Sequence, residues 1–211
     1  MCTPCKDTGQ ADVASYPRMD RPDKKRIEPR KRAGPKPVTR DRLGNIALFY
    51  LERYASSAAN LRRVLLRRVD RSARLHGTDA AEGAQWVDEL VQRYVRSGLV
   101  NDKVYAEAVT TSLRRRGAST RMVKQKLAMK GVDADTVDGA LDATGGADEA
   151  TDLKAAFAYA KRRRLGPFGP AAKRQDRRQR DMAALGRAGF GYGTARKVVD
   201  STGDQEDEEP D

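Results

Sequence analysis

Between residues 41 and 200 apolar side chains recur at spacings of three and four with charged residues between them, the pattern of helices buried along one face. Leu61, Val64, Leu65 and Val69 form one such stripe, and Arg62, Arg63, Arg67, Arg71 and Arg74 occupy the opposite side. Ahead of it, Ile46, Leu48, Phe49, Leu51 and Tyr54 predict a mostly apolar helix, with Thr39 or Asp41 as its N-cap. Ser56 or Ser57 restarts the chain, and His76-Gly77-Thr78 closes the second helix. A third helix buries Trp86, Val87, Leu90, Val91 and Tyr94 and stops at Gly98; at that spacing Trp86 is a core residue and not a platform for a nucleobase. Throughout, the apolar positions are read as core.

Asn101 or Asp102 caps a fourth helix that ends near Gly117, and Ser119 caps a fifth with Val123 and Leu127 inward. Gly131 stops the fifth, and Val132 opens a short segment through Val137 and Leu141. After a break at Gly145-Gly146, Leu153, Phe157 and Tyr159-Ala160 mark a helix ending in Lys161-Arg162-Arg163-Arg164. Gly166-Pro167-Phe168-Gly169-Pro170 is a stiff loop that no helix crosses. A cation-rich helix from Lys173 to Arg187 then holds Met182 and Leu185, and a last helix after Gly189–Gly193 holds Ala195, Val198 and Val199.

The units repeat. An offset of 62 lays Ser57 on Ser119, Leu61 on Val123, Leu65 on Leu127, Leu51 on Leu113 and Arg53 on Arg115. An offset of 58 lays Leu127 on Leu185, Gly131 on Gly189, Val132 on Phe190 and Leu141 on Val199, although Asp181 falls where Val123 calls for an apolar residue. The prediction is an all-α fold, an elongated array of three tandem three-helix repeats over 41–100, 101–145 and 146–200. Residues 1–40 read as a disordered, basic, Pro-rich leader, and 201–211, with six acids and no base, as an acidic disordered tail.

Composition supports a thin helical core: 38% of the 211 residues are hydrophobic, 34% are charged, and there are four Phe and one Trp. The formal charge is +12, and residues 41–200 alone carry 31 Lys/Arg against 19 Asp/Glu, so the excess lies on the predicted repeats. Such a surface suits phosphate or acidic protein. There is no transmembrane run and no apolar signal segment, which predicts a cytoplasmic protein without a membrane partner.

Enzyme chemistry finds little support. The chain has one His, no Walker loop and no recognisable nucleophile–base pair, so no catalytic residue and no cofactor is assigned. Cys2 and Cys5 lack the two further ligands of a zinc site and the strand–helix setting of a redox motif. Asp133, Asp135 and Asp138 lack the glycine and terminal Glu of a calcium loop, and Asp133 serves as a helix cap. Gly189-Phe190-Gly191-Tyr192-Gly193 has no preceding strand and no following Lys-Ser/Thr, as a phosphate loop requires. No metal site is predicted.

The stretch Gly98-Leu99-Val100-Asn101-Asp102-Lys103-Val104-Tyr105-Ala106 resembles the Gly-Leu-Leu-Asp-Asp-x-x-Tyr/Phe-Ala signature of the RecX family. Arg115-Arg116-Gly117 to Leu127-x-x-Lys130-Gly131-Val132 is similar to that family's central repeat, and Leu185-x-x-x-Gly189-Phe190 with Val198-Val199 to its last. The resemblance covers about residues 41 to 200. Asn101 departs from it by replacing an acidic residue, and the second helix runs past Val69, where the family pattern often has Gly. What the resemblance implies is a negative modulator of the RecA recombinase. Such proteins lie along the groove of the RecA–DNA filament and reduce its ATPase, strand-exchange and LexA-type coprotease activities, within DNA repair, recombination and the SOS response.

For such a role the RecA/DNA contact candidates are the basic helix faces. In the first unit they are Arg62, Arg63, Arg67 and Arg71; in the second, Arg114, Arg115, Arg116, Arg121, Lys124, Lys126 and Lys130. In the third they are Lys161, Arg162, Arg163, Arg164, Arg177, Arg178 and Arg180. The expected partners are the RecA filament and single- or double-stranded DNA bound without sequence preference, by a monomer. The alternatives are a free-standing basic nucleic-acid-binding protein that acts without RecA, with Ser119-Thr120-Arg121 as a weak recognition-helix start, and a structural adaptor for an acidic partner.

Overall fold

The computed structural model describes residues 36–202, all of whose regular structure is helical. The first repeat comprises α1 (Arg40–Arg53), α2 (Ala58–His76) and α3 (Ala80–Arg96). The second comprises α4 (Asp102–Arg115), α5 (Thr120–Met129) and α6 (Ala134–Ala143). The third comprises α7 (Glu149–Arg163), α8 (Arg174–Arg187) and α9 (Tyr192–Asp200), with two 3-10 turns, Gly166–Phe168 and Ala171–Lys173, between its first two helices. The expected leader up to residue 35, with Cys2 and Cys5, and the acidic tail from residue 203 lie outside the described residues.

Helix starts are set by side-chain oxygens that accept from free backbone N–H groups. Thr39 accepts from Arg42 N, Ser57 from Asn60 N, Asn101 from Val104 N and Ser119 from Met122 N. Asp79, Asp133 and Asp148 do the same for α3, α6 and α7. Order begins before the expected boundary at 41: Val38 is buried in the first core, and its N–H donates to Ser72 Oγ at 2.9 Å.

Each repeat encloses its own apolar cluster. Leu43, Leu61, Leu65, Val69, Val87 and Tyr94 centre the first, with Trp86 partly buried against it. Ala106, Leu113, Val123, Leu127, Val137 and Leu141 form the second, and Ala156, Ala160, Leu185, Phe190, Val198 and Val199 the third. Asp181 takes a core position for a local reason. Its Oδ2 accepts the N–H of Gly166 at 2.9 Å, tying the 3-10 turn after α7 to α8. Leu48, Phe49 and Tyr54 correct the reading of α1: they are 49%, 54% and 59% exposed, because Leu43 and Ala47 supply its buried face.

Consecutive repeats are joined the same way twice. Ser57 Oγ caps α2 and donates to Lys130 O at the end of α5, at 2.6 Å. Ser119 Oγ caps α5 and donates to Ala188 O at the end of α8, at 2.8 Å. Beside each serine a carboxylate from the next repeat takes the first N–H of the helix: Asp102 accepts Ala58 N at 2.8 Å, and Asp152 accepts Thr120 N at 2.9 Å. The middle helix of one repeat therefore begins inside the next.

Candidate interaction surface

The joints sort the basic candidates. Arg114 is a correction: its side chain is only 10% exposed, and it is the clamp of the second joint. Its Nη1 donates to Asp152 Oδ1 at 2.7 Å and to Ala118 O, and its Nη2 to Thr120 Oγ1 at 2.7 Å and to Gly146 O. With those donors engaged, Arg114 holds two repeats together and is not available as a contact to a partner.

In the first repeat Arg62 grips Asp88 on α3 through Nε at 2.5 Å and Nη2 at 3.1 Å, and this pairing holds the Asp88 carboxyl below its usual range. Arg63 reaches across the first joint to Met129 O at 3.0 Å. Arg67 and Arg71 are exposed and make no ion pair among the described residues. On α4, Arg115 is likewise exposed and unpaired among them, while Arg116 folds back onto Ser112 O and Oγ. Lys124 pairs with Asp138 at 2.7 Å, and Lys130 Nζ lies 3.4 Å from Asn60 Oδ1. Arg121 and Lys126 stand exposed without an ion pair among the described residues.

In the third repeat Lys161, Arg162, Arg163 and Arg164 are exposed at the end of α7, with the guanidinium groups of Arg162 and Arg163 at 5.7 and 5.9 Å from the Tyr159 ring centre. Arg178 is held bidentate by Asp200, both contacts at 2.8 Å, which lowers the Asp200 carboxyl. Arg177 lies 3.9 Å from Asp181, and Arg180 is exposed. Twelve candidates therefore present cations unpaired by any described carboxylate: Arg63, Arg67, Arg71, Arg115, Arg116, Arg121, Lys126, Lys130, Arg162, Arg163, Arg164 and Arg180. Sequence reasoning took Asp102 only as a possible cap of its own helix and passed over Asp152, so the contact that each makes with the preceding repeat escaped it. The signal was present, since each sits in the first turn of the opening helix of its repeat, where a carboxylate serves the helix N-terminus it faces.

The start of α5 bears on base readout. Ser119 is fully buried against Ala188, and both the N–H and the Oγ1 of Thr120 are bonded to Asp152. A recognition helix needs that end free to enter a groove of DNA. Among the described residues no cluster of three His, Cys, Asp or Glu side chains is arranged for a metal ion, and no helix is long and apolar enough to cross a membrane.

Known proteins agree with this architecture. The family model described as the second three-helix domain of RecX matches residues 101–141, which span α4 to α6. The regulatory protein RecX of Myxococcus xanthus (strain DK1622) is 48% identical over 182 residues, covering 85% of this chain and 95% of its own. That of Agrobacterium fabrum (strain C58 / ATCC 33970) is 34% identical over 103 residues, 49% of this chain and 53% of its own. The crystal structure of RecX from Lactobacillus salivarius shares the fold, with a TM-score of 0.52 at 17% identity, over 77% of this chain and 96% of that one. Three joined three-helix repeats, and near-half identity along almost the whole length of a curated relative, make this chain a member of the RecX family of regulatory proteins.

Proposed function

We propose that this chain is a negative regulator of the RecA recombinase, a cytoplasmic, non-catalytic monomer that binds along the groove of the RecA–DNA filament and lowers its ATPase, strand-exchange and coprotease activities. The observation that carries this reading is the 48% identity to a regulatory protein RecX across 95% of that protein's length. The exposed, unpaired cations on all three repeats suit it. Arginine heads free of local carboxylates can take phosphate or carboxylate oxygens in a bidentate fork. Contacts to DNA in this reading are to the backbone and carry no sequence preference. A free-standing reader of DNA sequence is the weaker reading, because the start of α5 is closed by Asp152 and Ala188.

The test is RecA ATPase on single-stranded DNA, with and without substoichiometric amounts of the protein. The same measurement is made with a variant that carries Arg115→Ala, Arg121→Ala and Lys126→Ala together, and leaves Arg114 in place because it holds the joint. Inhibition by the native protein, weakened in the variant, is the expected result. Absence of inhibition at every ratio, with binding to single-stranded DNA intact, sinks the reading.

A further inference from the structure

Nine large apolar side chains are exposed among the described residues, and six of them, Leu48, Phe49, Tyr54, Leu99, Val104 and Met129, line a groove made up of two adjoining depressions. Its larger part, about 740 Å3, lies between the end of α1 and the start of α4. Its smaller part, about 500 Å3, lies between α4 and the end of α5, and the two share Ala55, Tyr105 and Ala108.

The groove is a joint left open. At the second joint α4 ends in Gly117 at φ +71°, so close to α7 that an added Cβ would lie 2.5 Å from Tyr159 N and 2.7 Å from Ala155 O. Only glycine permits both that left-handed backbone and that approach. The offset of 62 places Ala55 at the equivalent position of the first repeat. There α1 instead leaves through Tyr54 in an extended conformation, and the cleft facing α4 remains as a groove lined by aliphatic and aromatic groups. Exposed apolar surface concentrated in one place, rather than scattered singly, marks a binding surface.

Charge divides the groove. Around the larger part Glu52 is the one charged lining residue, whereas the smaller part is lined by Arg116, Lys126 and Lys130 with no acid. Arg116 rests on Ser112 and Lys130 lies near Asn60, both neutral, so their charge is uncompensated there. Neither terminal segment of the chain matches this combination. Residues 1–35 carry nine Lys/Arg against five Asp/Glu, the wrong sign for the basic end, and residues 203–211 offer no apolar side chain but the ring of Pro210. A complementary occupant joins apolar side chains to acidic ones and comes from another protein.

We propose that this groove is the protein-docking site of the regulator. It takes a segment of RecA whose apolar side chains pack against Phe49, Leu99 and Val104 and whose acidic side chains lie on Arg116, Lys126 and Lys130. This inference rests on the filament reading above and deepens it. The exposed cations elsewhere serve the nucleic acid, and the groove supplies the contact to protein. Aromatic, Met and Arg side chains are the residues enriched in such contacts, and the groove brings them together.

The test measures the affinity of the full chain for RecA filaments preformed on single-stranded DNA, and separately for bare single-stranded DNA. Phe49→Asp and Val104→Asp each replace an exposed side chain, and Val104→Asp lies in the first turn of α4, where an acid suits the helix. Each is expected to weaken filament binding about tenfold or more while leaving DNA affinity within about twofold and the melting temperature unchanged. Lys126→Glu should weaken filament binding and reduce its salt dependence, and Leu75→Asp, exposed outside the groove, should do neither. Native-like filament binding by both groove variants overturns the groove assignment and leaves the filament reading standing. A native protein that does not bind filaments overturns both. Self-association of the native chain that the groove variants abolish assigns the groove to a second copy and overturns the proposal.

Discussion

Arg114 shows what a single side chain decides. Its two neighbours, Arg115 and Arg116, are exposed, whereas Arg114 lies one position past buried Leu113 and four past buried Thr110, on the inward stripe of α4. Helix phase therefore separates three consecutive arginines that composition treats alike, and that signal was readable in the sequence. The pairing with Asp152 was not, because it joins side chains 38 residues apart. Arg114→Ala leaves the Asp152 carboxylate, Ala118 O and Gly146 O short of a donor, and removing one partner of a largely buried pair is expected to cost about 2–3 kcal/mol. Arg114→Lys should recover little of it, since an ammonium cannot span four acceptors as a fork does. Urea melts of these variants beside Arg115→Ala, expected within about half a kcal/mol of native, check the assignment. Equal effects of Arg114→Ala and Arg115→Ala would return Arg114 to the surface.

At the scale of elements, the helix starts were largely legible because capping chemistry is local: Ser57, Ser119 and Asp133 act within three residues of where they stand. The exposed face of α1 was not legible. A run such as Leu48-Phe49-Tyr50-Leu51 is apolar all round, and periodicity alone does not say which side a neighbouring repeat leaves uncovered. The joints were half legible, since the offset aligned the two capping serines without revealing that each reaches into the next repeat. Their closeness is measurable at Gly131, which has φ +74° and faces Ala59 so tightly that an added Cβ would sit 2.5 Å from the Ala59 methyl. Gly131→Ala therefore adds a clash to left-handed strain, whereas Ala59→Gly removes only the methyl and costs about 1 kcal/mol in helix propensity. In the double variant the clash disappears, because the next nearest Ala59 atom is 3.9 Å away. Thermal melts of the four proteins should give a destabilisation for the pair smaller than the sum of the singles. Strict additivity would mean that the two repeats do not meet at this point.

For the whole molecule the relevant variable is pH, because lowered carboxyl groups are spread over all three repeats. Asp133 and Asp148 are held down chiefly by the backbone N–H groups of Thr136 and Thr151 that they cap, and Asp88 and Asp200 by the guanidinium groups of Arg62 and Arg178. In each case the folded chain favours the ionised form, so its contribution is fully present above the unfolded carboxyl value of about 3.9. It is lost as pH falls from there through the lower folded value. The same protonation strips negative charge from a chain that already carries +12, and the growing self-repulsion acts in the same direction. Stability is therefore expected to be flat from neutral pH to about pH 5 and to fall steeply below about pH 4, read as the urea midpoint across a pH series. Asn accepts the same capping hydrogen bond without titrating, so the double variant Asp133→Asn, Asp148→Asn should fold at neutral pH and lose less than the native chain on acidification. A native midpoint that holds or rises between pH 5 and 3 would show that these carboxylates are no better held in the folded chain than in the unfolded one, and would remove the caps and pairs from the account of what stabilises the repeats.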